Sequence, residues 1–365
     1  MPSSFVLVLK IIISLVFCSF SGLLFANTVT YKNQSLPVID LHLHPGKFED
    51  LGPVGKQFLR DTLPAFMPKF MKDWSLATVS KFQLDPYGSF IGIKSECERA
   101  KLFRCGLFAV HAPETWGVVS NESLMAYLDD PRNVDIEGMP FFFGLASLQI
   151  KAWDQVEKRE LDQLRLSLKH PLIKGIKLAF IHNSIPLDDQ RYDSIYRLAT
   201  EMNVPVYHHV GTSPLRSLQD FKKSDLRELY KKSYNPALLE RAIKQFPNVS
   251  FILGHAGFDF NDEGQSSMDV VLELAQRYPN AYIEISALGD ITHDPDGKNL
   301  LKVLAQIKER NLIDKTLYGS DGPTIPGGTQ HYLEQTLSAM DTLSYSYDEA
   351  KSILYTNTAE LFKLD

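Results

Sequence analysis

Histidines in this sequence cluster where short apolar runs end. The run that reaches Leu41 finishes with His42 and His44, and side chains two residues apart on a strand share one face. The other chemistry-bearing residues at the ends of such runs are His208, His209, His255 and Asp321. Three imidazoles and one carboxylate suit a divalent first-row ion such as Zn²⁺, with Mn²⁺ as an alternative. The pattern therefore predicts a metal site if the ends of these runs meet in space.

The runs that carry these residues recur eight times along the chain, and we interpret them as buried strands. They are short, apolar and often β-branched or aromatic, as strands of a parallel sheet are. The eight runs are Pro37–His42, Arg104–Val110, Phe141–Leu148, Ile173–Phe180, Val204–His209, Ser250–His255, Ala281–Ser286 and Thr316–Ser320. Between them lie segments with helical spacing of apolar residues, for example Asp188–Met202 and Pro236–Phe246.

Eight alternating strand and helix units predict an α/β fold, and in particular a closed (β/α)8 TIM barrel with an insertion after the first strand. In such a barrel the carboxyl ends of all strands meet in one mouth, so the histidines and Asp321 converge there. The insertion, residues 45–103, is expected to cover the mouth as a lid or substrate wall. The alternative is that it is only a longer loop with an extra helix.

Composition limits the classes of partner. The 365 residues are 44% hydrophobic and 22% charged, with a net charge of -6, which is typical of a globular protein. A net negative chain argues against a dedicated nucleic-acid binder, which needs a basic face. No P-loop, GxGxxG, HExxH or GxSxG motif is present. A small molecule is therefore the expected partner.

The first 26 residues differ from the rest of the chain. They contain no Asp, Glu or Arg, and the apolar stretch Ile11–Phe17 follows Lys10 and leads to Ala26. This pattern predicts a signal peptide over residues 1–26 and an exported protein, periplasmic or secreted, with one domain over residues 27–365 and no stable membrane insertion after cleavage. An uncleaved anchor and a cytosolic chain are the alternatives. Cys97 and Cys105 are expected to be buried free thiols.

Taken together, these motifs resemble the amidohydrolase superfamily, and most closely its amidohydrolase-related (amidohydrolase 2) group of metal-dependent TIM-barrel hydrolases. The resemblance extends from Pro37 to the C-terminus, and it depends on all the motifs occurring in order at barrel spacing. The motifs are DLHLH at 40–44, GIKL at 175–178, PVYHHVG at 205–211, FILGHAGF at 251–258, YGSDGP at 318–323 and the NTAELF tail.

The resemblance implies a role for each residue. The metal ligands would be His42, His44, His209 and Asp321, with His209 preferred over His208 because the fifth-strand ligand stands two residues before a glycine. Strand alternation agrees that only one of those two histidines faces the interior. Asp321 would also shuttle protons, and His255 would polarise the substrate or act as acid and base.

Lys177 remains ambiguous. In members with two metal ions the fourth-strand lysine is carboxylated and bridges the ions, whereas one ion is usual in the resembling group. We favour one ion, with Lys177 binding a substrate anion or pairing with an acidic neighbour. His111, after the second run, either enters the mouth as a substrate-binding residue or is a plain loop residue. His170, His182, His293 and His331 are expected at the surface.

The expected activity is hydrolysis of an ester, lactone or amide by water activated on the metal. Asp321 would take the proton of that water, and His255 would stabilise the oxyanion. The same site would also suit non-oxidative decarboxylation of an aromatic or unsaturated acid. A non-catalytic metal- or ligand-binding barrel is a further alternative. Barrels of this group often pair, so a homodimer is an open outcome.

Overall fold

A computed structural model describes residues 27–261, 267–288, 294–322 and 325–364. The predicted signal peptide, residues 1–26, lies outside the described residues. Within them the chain forms a barrel of eight parallel strands with helices around it, as the alternation of runs predicts. No helix in the described part is both long enough and apolar enough to span a bilayer.

The strands of the barrel agree closely with the eight predicted runs. In chain order the strands are β1 Val29–Tyr31, β2 Gln34–Leu36, β3 Ile39–Leu43, β4 Arg104–Phe108, β5 Val110–Ala112, β6 Gly117–Val119, β7 Phe142–Ala146, β8 Ile173–Leu178, β9 Val206–His209, β10 Phe251–Gly254, β11 Ala281–Glu284 and β12 Thr316–Leu317. The barrel order is β3-β4-β7-β8-β9-β10-β11-β12, all parallel, while β1 pairs with β2 and β5 pairs with β6 in two antiparallel hairpins.

Helices follow the barrel strands and cover the outside of the sheet. The α-helices are α1 Pro53–Asp61, α2 Lys69–Gln83, α3 Ile93–Arg99, α4 Asn121–Leu128, α5 Trp153–Ser167, α6 Phe180–Asn183, α7 Asp193–Met202, α8 Ser224–Tyr234, α9 Glu240–Gln245, α10 Met268–Arg277, α11 Lys298–Glu309, α12 Gly328–Thr342, α13 Tyr347–Lys351 and α14 Asn357–Phe362. Most present an apolar stripe to the barrel, which gives one large buried layer between helices and strands.

The first and last strands close the barrel through a few specific bonds. The backbone nitrogen of Leu41 donates to the Tyr318 carbonyl over 3.0 Å, and that of His44 donates to the Gly322 carbonyl over 2.8 Å. The buried Asp40 carboxylate joins the same two strands, since it accepts the Ser320 backbone N–H at 2.9 Å and the Ser320 hydroxyl at 2.6 Å. Closure therefore fixes the end of β3 against the end of β12.

The barrel interior is apolar at its lower end and polar at the mouth. Ile39, Leu41, Phe143, Leu145 and Ile252 belong to one buried interior cluster, which the C-terminal residues Phe362 and Leu364 close from below. The Arg104 guanidinium donates to the carbonyl of Leu364 and holds the tail there. A packed floor leaves the opposite end, where the strands finish, as the place for chemistry.

The insertion between β3 and β4 forms a hairpin of helices, α1 and α2, which packs beside the mouth. Gly52 N donates to the Thr115 carbonyl over 2.9 Å, and Gly46 N donates to the Leu84 carbonyl over 3.0 Å. The helix α3 then returns the chain to the barrel. Cys97 on α3 and Cys105 on β4 are both buried and both free, as expected.

Candidate metal centre

Three predicted ligands meet where β3 and β12 end. Nε2 of His42 lies 3.0 Å from Nε2 of His44, and Oδ1 of Asp321 lies 3.2 Å and 3.1 Å from these two nitrogens. Ligand atoms about 2.0–2.1 Å from one tetrahedral zinc ion would stand roughly 3.4 Å apart, so the triangle has the size of one face of such a site. The His42 side chain is completely buried, whereas those of His44 and Asp321 are 28% and 29% exposed, so the triangle opens toward the mouth.

A bulge in β3 directs both histidines inward. The register with β4 shifts between Asp40 and Leu43, so that Leu41 belongs to the interior cluster and His42, the next residue, also contacts interior rings. The His42 ring stacks on Phe108 with centroids 4.3 Å apart. Without the bulge, alternation would turn either Leu41 or His42 away from the interior.

The second nitrogen of His42 is bound by a buried polar network. Nδ1 lies 3.2 Å from Oε1 of Glu284, 3.1 Å from the Ser286 hydroxyl and 3.1 Å from the Tyr207 hydroxyl. Oε2 of Glu284 accepts the Tyr207 and Ser286 hydroxyls, each at 2.9 Å, and the His255 backbone N–H at 3.0 Å. A carboxylate on Nδ1 places the imidazole proton there and leaves Nε2 free to bind a metal.

Two glycines make room for this network. A Cβ at position 254 would lie 2.0 Å from the Tyr207 hydroxyl, and one at position 319 would lie 2.3 Å from Oε1 of Glu284. Both positions stand in the predicted strand ends, next to His255 and Ser320 respectively. Any side chain there would displace the groups that hold His42.

His209 and His255 form a second pair beside the triangle. Nε2 of His255 lies 3.0 Å from Nδ1 of His209, and Nε2 of His209 donates to the Thr212 carbonyl over 3.0 Å. A carbonyl only accepts, so the His209 proton is on Nε2, and Nδ1, beside His255, is the unprotonated nitrogen. The ligand atom of His209 does not join those of His42, His44 and Asp321 in one compact group, so its role as fourth ligand stays a prediction.

Burial favours the neutral form of three imidazoles of the site, those of His42, His209 and His255. Burial, with a smaller contribution from the Lys177 charge, lowers the pKa of His42 well below its ordinary value. Burial lowers the pKa of His209 to about 4 and holds the pKa of His255 well below the usual range. Neutral imidazole is the form that binds a metal ion, so the charge state, the spacing and the donor types of these residues all fit a divalent ion.

Backbone strain marks the same residues. His255 and Asp321 have φ angles of +56° and +62°, and Ala256 follows His255 at +47°. Such left-handed conformations cost non-glycine residues about 1 kcal/mol or more each, and they are concentrated at functional sites. The turns aim the two side chains at the mouth as the strands end.

Lys177 lies inside the barrel beneath the histidines. Its ammonium group is 3.8 Å from the centre of the Tyr207 ring and 4.9 Å from that of Phe108. Burial lowers the pKa of Lys177, while the charges of Asp321 and Glu284 oppose that shift. The lysine therefore packs on aromatic faces, and its predicted binding of a substrate anion stays a prediction.

The remaining histidines differ in where they lie. His208 faces the outside of the barrel, where its Nε2 lies 3.2 Å from the Tyr196 hydroxyl and its ring stacks near Phe251, as strand alternation predicts. His111 is half-buried on β5, and burial lowers its pKa. Its buried Nδ1 has no hydrogen-bond partner among the described residues, which leaves that atom available to a ligand.

One surface prediction is wrong. His182 is 5% exposed, and its ring lies 5.4 Å from that of His209, because the short helix α6 follows β8 directly and turns the side chain toward the mouth. His170 and His331 are half-buried, next to Asp129 and Gln335 respectively. His293 lies outside the described residues.

Sequence reasoning missed Glu284, Ser286 and Tyr207. A signal for the first two was present, since Glu284 and Ser286 end the seventh apolar run two residues apart, like His42 and His44. An acid inside an apolar strand is costly unless it is paired or hydrogen-bonded. Tyr207 gave no signal because aromatic residues are common in buried strands.

The fold and the site define a (β/α)8 barrel with a group of histidines and an aspartate at its mouth that could hold a metal ion. The sequence model of the amidohydrolase family Amidohydro_2 matches residues 149–364, more than half of the chain, and the chain belongs to this family. No curated protein sequence matches the chain.

Solved structures share the fold. An uncharacterised TIM-barrel protein from Bordetella bronchiseptica is 16% identical, with 90% of this chain and 99% of that chain covered and a TM-score of 0.59. A probable 2-pyrone-4,6-dicarboxylic acid hydrolase from Acinetobacter baumannii is 16% identical, with 90% and 100% covered and a TM-score of 0.52. A 5-carboxyvanillate decarboxylase from Sphingomonas paucimobilis is 15% identical, with 90% and 99% covered and a TM-score of 0.55. At these identities the similarity shows the fold alone.

Proposed function

We propose that this protein is an exported metal-dependent hydrolase that acts on an ester, lactone or amide of a small carbonyl compound. The observation that carries the proposal is the triangle of His42 Nε2, His44 Nε2 and Asp321 Oδ1, with edges of 3.0 to 3.2 Å. Family membership supports a metal-dependent enzyme, and hydrolases are among the proteins with the same fold.

The residues that would hold the ion are His42, His44 and Asp321, with His209 as the proposed fourth ligand. A divalent ion bound there, Zn²⁺ or Mn²⁺, lowers the pKa of water and polarises a carbonyl oxygen. Asp321 is part-exposed at the mouth, so its carboxylate can accept a proton from the attacking water.

His255 is the residue proposed to transfer a proton to the leaving group. Its backbone N–H is fixed on Glu284, and its Nδ1 lies 2.9 Å from the Ser286 hydroxyl, so the ring has a defined orientation. Ser286 gives its one hydroxyl proton to Glu284, so Nδ1 of His255 carries the imidazole proton, and Nε2 can accept a proton and pass it to a leaving group. The Trp116 ring lies parallel to the His44 ring at 6.5 Å, which supplies an apolar wall beside the triangle.

The deciding experiment measures metal content and turnover on the same preparation. Elemental analysis after growth with zinc and manganese should give about one ion per chain, and removal of that ion by a chelator should abolish ester, lactone or amide hydrolysis, with recovery on readdition. Two ions per chain would support carboxylated Lys177 as a bridge, with His209 and His255 on the second ion. No retained ion would support the non-catalytic barrel instead.

Decarboxylation of an aromatic or unsaturated acid is the second candidate, and Arg216 favours it. Arg216 stands on the loop after β9, close enough for its charge to lower the pKa of the mouth residue His182. Among the described residues its guanidinium has no hydrogen-bond or ion-pair partner, so it is available to a substrate carboxylate. Decarboxylases share this fold. Release of CO₂ from aromatic acids, lost in Arg216→Ala, would support this activity over hydrolysis.

Export is proposed from the composition of residues 1–26. N-terminal sequencing of protein purified from the producing cell, together with fractionation of that cell, tests this proposal. A mature chain that begins near Asn27 outside the cytoplasm would support it, and an intact Met1 in the cytosol would refute it.

A further inference from the structure

The insertion beside the mouth exposes an unusual number of large apolar side chains. Phe66, Phe70, Trp74 and Phe90 are 86%, 72%, 70% and 76% exposed, and among the described residues no other large hydrophobic side chain reaches 70%. Isolated exposed apolar residues are normal, but a group this dense in one segment marks an interaction surface.

The helix α2 buries polar residues and exposes aromatic ones, the reverse of a helix that packs an apolar side on its own domain. Its two buried residues are the polar Ser80 and Gln83, and the Ser80 hydroxyl accepts the Phe48 N–H over 3.0 Å. Its exposed residues include Phe70, Trp74 and Phe82, at spacings of four and eight residues, which lie on one side of the helix. Packing among the described residues of this chain therefore does not account for the aromatic side of α2.

The backbone holds these aromatic groups outward. The Arg60 guanidinium pairs with Asp73 at 2.5 Å, and Lys72 donates to the carbonyls of Arg60 and Leu63 at 2.9 Å and 3.2 Å, so α1 and α2 form a braced hairpin. Phe90 has a φ angle of +61°, and Arg99 donates to its carbonyl. Because strained left-handed residues are concentrated at functional sites, the fixed conformation of Phe90 indicates a functional role for its exposed ring.

Charge distinguishes the segment from the rest of the protein. Residues 53–83 contain five Lys and Arg and two Asp, a net charge of +3, whereas the whole chain has -6. Lys81 is exposed beside the aromatic side of α2 and has no ion-pair partner among the described residues, while the exposed Lys69 pairs with Asp73 at 2.7 Å. A second copy of this chain would bring these like charges together, so self-association through α2 is opposed. The complementary surface is apolar and anionic.

We propose that the α1–α2 hairpin, with the loop that carries Phe90, docks this protein peripherally on an anionic lipid bilayer. Aromatic side chains and lysines on one helix suit the boundary between acyl chains and headgroups, where the rings are buried and the lysine stems extend to phosphate. The hairpin packs beside Trp116 at the mouth, so docking places the active-site opening near the lipid surface. This inference does not depend on the proposed reaction.

Vesicle binding of the full chain tests this proposal. The protein as purified, with its N-terminus sequenced, is sedimented with phosphatidylcholine vesicles that contain or lack about one third phosphatidylglycerol. We expect the protein to bind vesicles with phosphatidylglycerol at least tenfold more tightly than vesicles of phosphatidylcholine alone. Binding to the anionic vesicles should weaken as the salt concentration is raised. Phe70→Ser/Trp74→Ser should weaken binding at least tenfold, and Lys81→Glu should weaken it only on anionic vesicles.

Two controls keep the result specific. Leu166→Ser removes a comparably exposed apolar side chain on α5 and should bind like the wild type, and unchanged circular dichroism shows that each variant is folded. Trp74 fluorescence should shift to the blue on vesicles and be quenched by brominated lipid, and Trp74→Phe should lose this signal while keeping the binding. Binding that survives Phe70→Ser/Trp74→Ser would overturn the proposal. A failure of the wild-type protein to bind anionic vesicles would also overturn the proposal. This holds whether the protein is then found as a monomer, as a dimer through α2 or in a complex with another protein.

Discussion

Oε1 of Glu284 lies 3.2 Å from Nδ1 of His42, and both side chains are fully shielded from solvent. The carboxylate thereby fixes the imidazole whose other nitrogen forms one corner of the His42–His44–Asp321 triangle. The pKa of Glu284 is raised, because burial outweighs the opposing effect of the N–H and O–H groups that donate to the carboxylate. The Glu284 side chain contacts the proposed ligand His42 and not the mouth, so we regard it as a positioning residue.

Glu284→Gln should weaken metal binding by about 10- to 100-fold, the usual effect of removing a partner from a metal-binding histidine. The amide keeps the shape of the side chain but weakens the acceptor on His42 Nδ1. Competition with a chromophoric chelator gives the affinity directly, without activity. Glu96→Gln is the matched control, since Glu96 is also buried but bonds the backbone N–H of Gly327 on the outside of the barrel. Equal metal affinity in the two variants would contradict the role of Glu284.

Glu96 itself makes stability depend on pH. Burial raises its pKa above the ordinary 4.5, against the opposing bonds from Gly327 and Arg99. Folding therefore favours the protonated carboxyl, and this contribution is full below pH 4.5 and is lost as the pH rises through the raised pKa. Urea unfolding from about pH 4 to about pH 7 should show the wild-type free energy of unfolding falling relative to that of Glu96→Gln. A constant difference across this range would show that Glu96 titrates normally.

The Asp40–Ser320 pair should contribute measurably to barrel closure. Ser320→Ala removes the 2.6 Å bond to a fully buried carboxylate, and such charged bonds contribute about 1.5–3 kcal/mol. Ser233→Ala is the control, because that buried hydroxyl bonds only a neutral carbonyl, at 2.6 Å, and its loss should cost about 1 kcal/mol. A double-mutant cycle with Asp40→Asn should give a coupling energy of about 1–3 kcal/mol by urea unfolding, whereas additive costs would refute a direct link between the strands.

The barrel was predictable because every strand is a separate apolar run, and the ends of parallel strands must share one edge. The choice of ligands came from the family resemblance, and the meeting of His42, His44 and Asp321 at one edge follows from that geometry. The exact direction of each ring does not. The bulge in β3, the left-handed turn at His255 and the rotation of His209 toward Thr212 depend on local backbone geometry that no residue pattern specifies.

Residues that support the site were harder to predict than residues that form it. Glu284 resembles an ordinary acid until the fold places it under His42, and His182 resembles a loop residue until α6 turns it toward His209. The exposed aromatic side of α2 is also ambiguous in sequence, because Phe70, Trp74 and Phe82 have the spacing of a helix that faces its own core. Their exposure in the folded hairpin shows that they face outward.

The adjacent histidines at the end of β9 separate the ligand role from the packing role. His209→Ala should lower metal content and abolish turnover, because its unprotonated Nδ1 faces the site beside His255. His208→Ala should retain the metal and turnover but lower the melting temperature, because its ring is buried between Tyr196 and Phe251. Elemental analysis, turnover and thermal unfolding of both variants give the comparison. If His209→Ala keeps its full metal content, three residues suffice as ligands, and His209 acts by orienting His255. Loss of metal only in His208→Ala would mean that β9 presents its other face to the barrel interior.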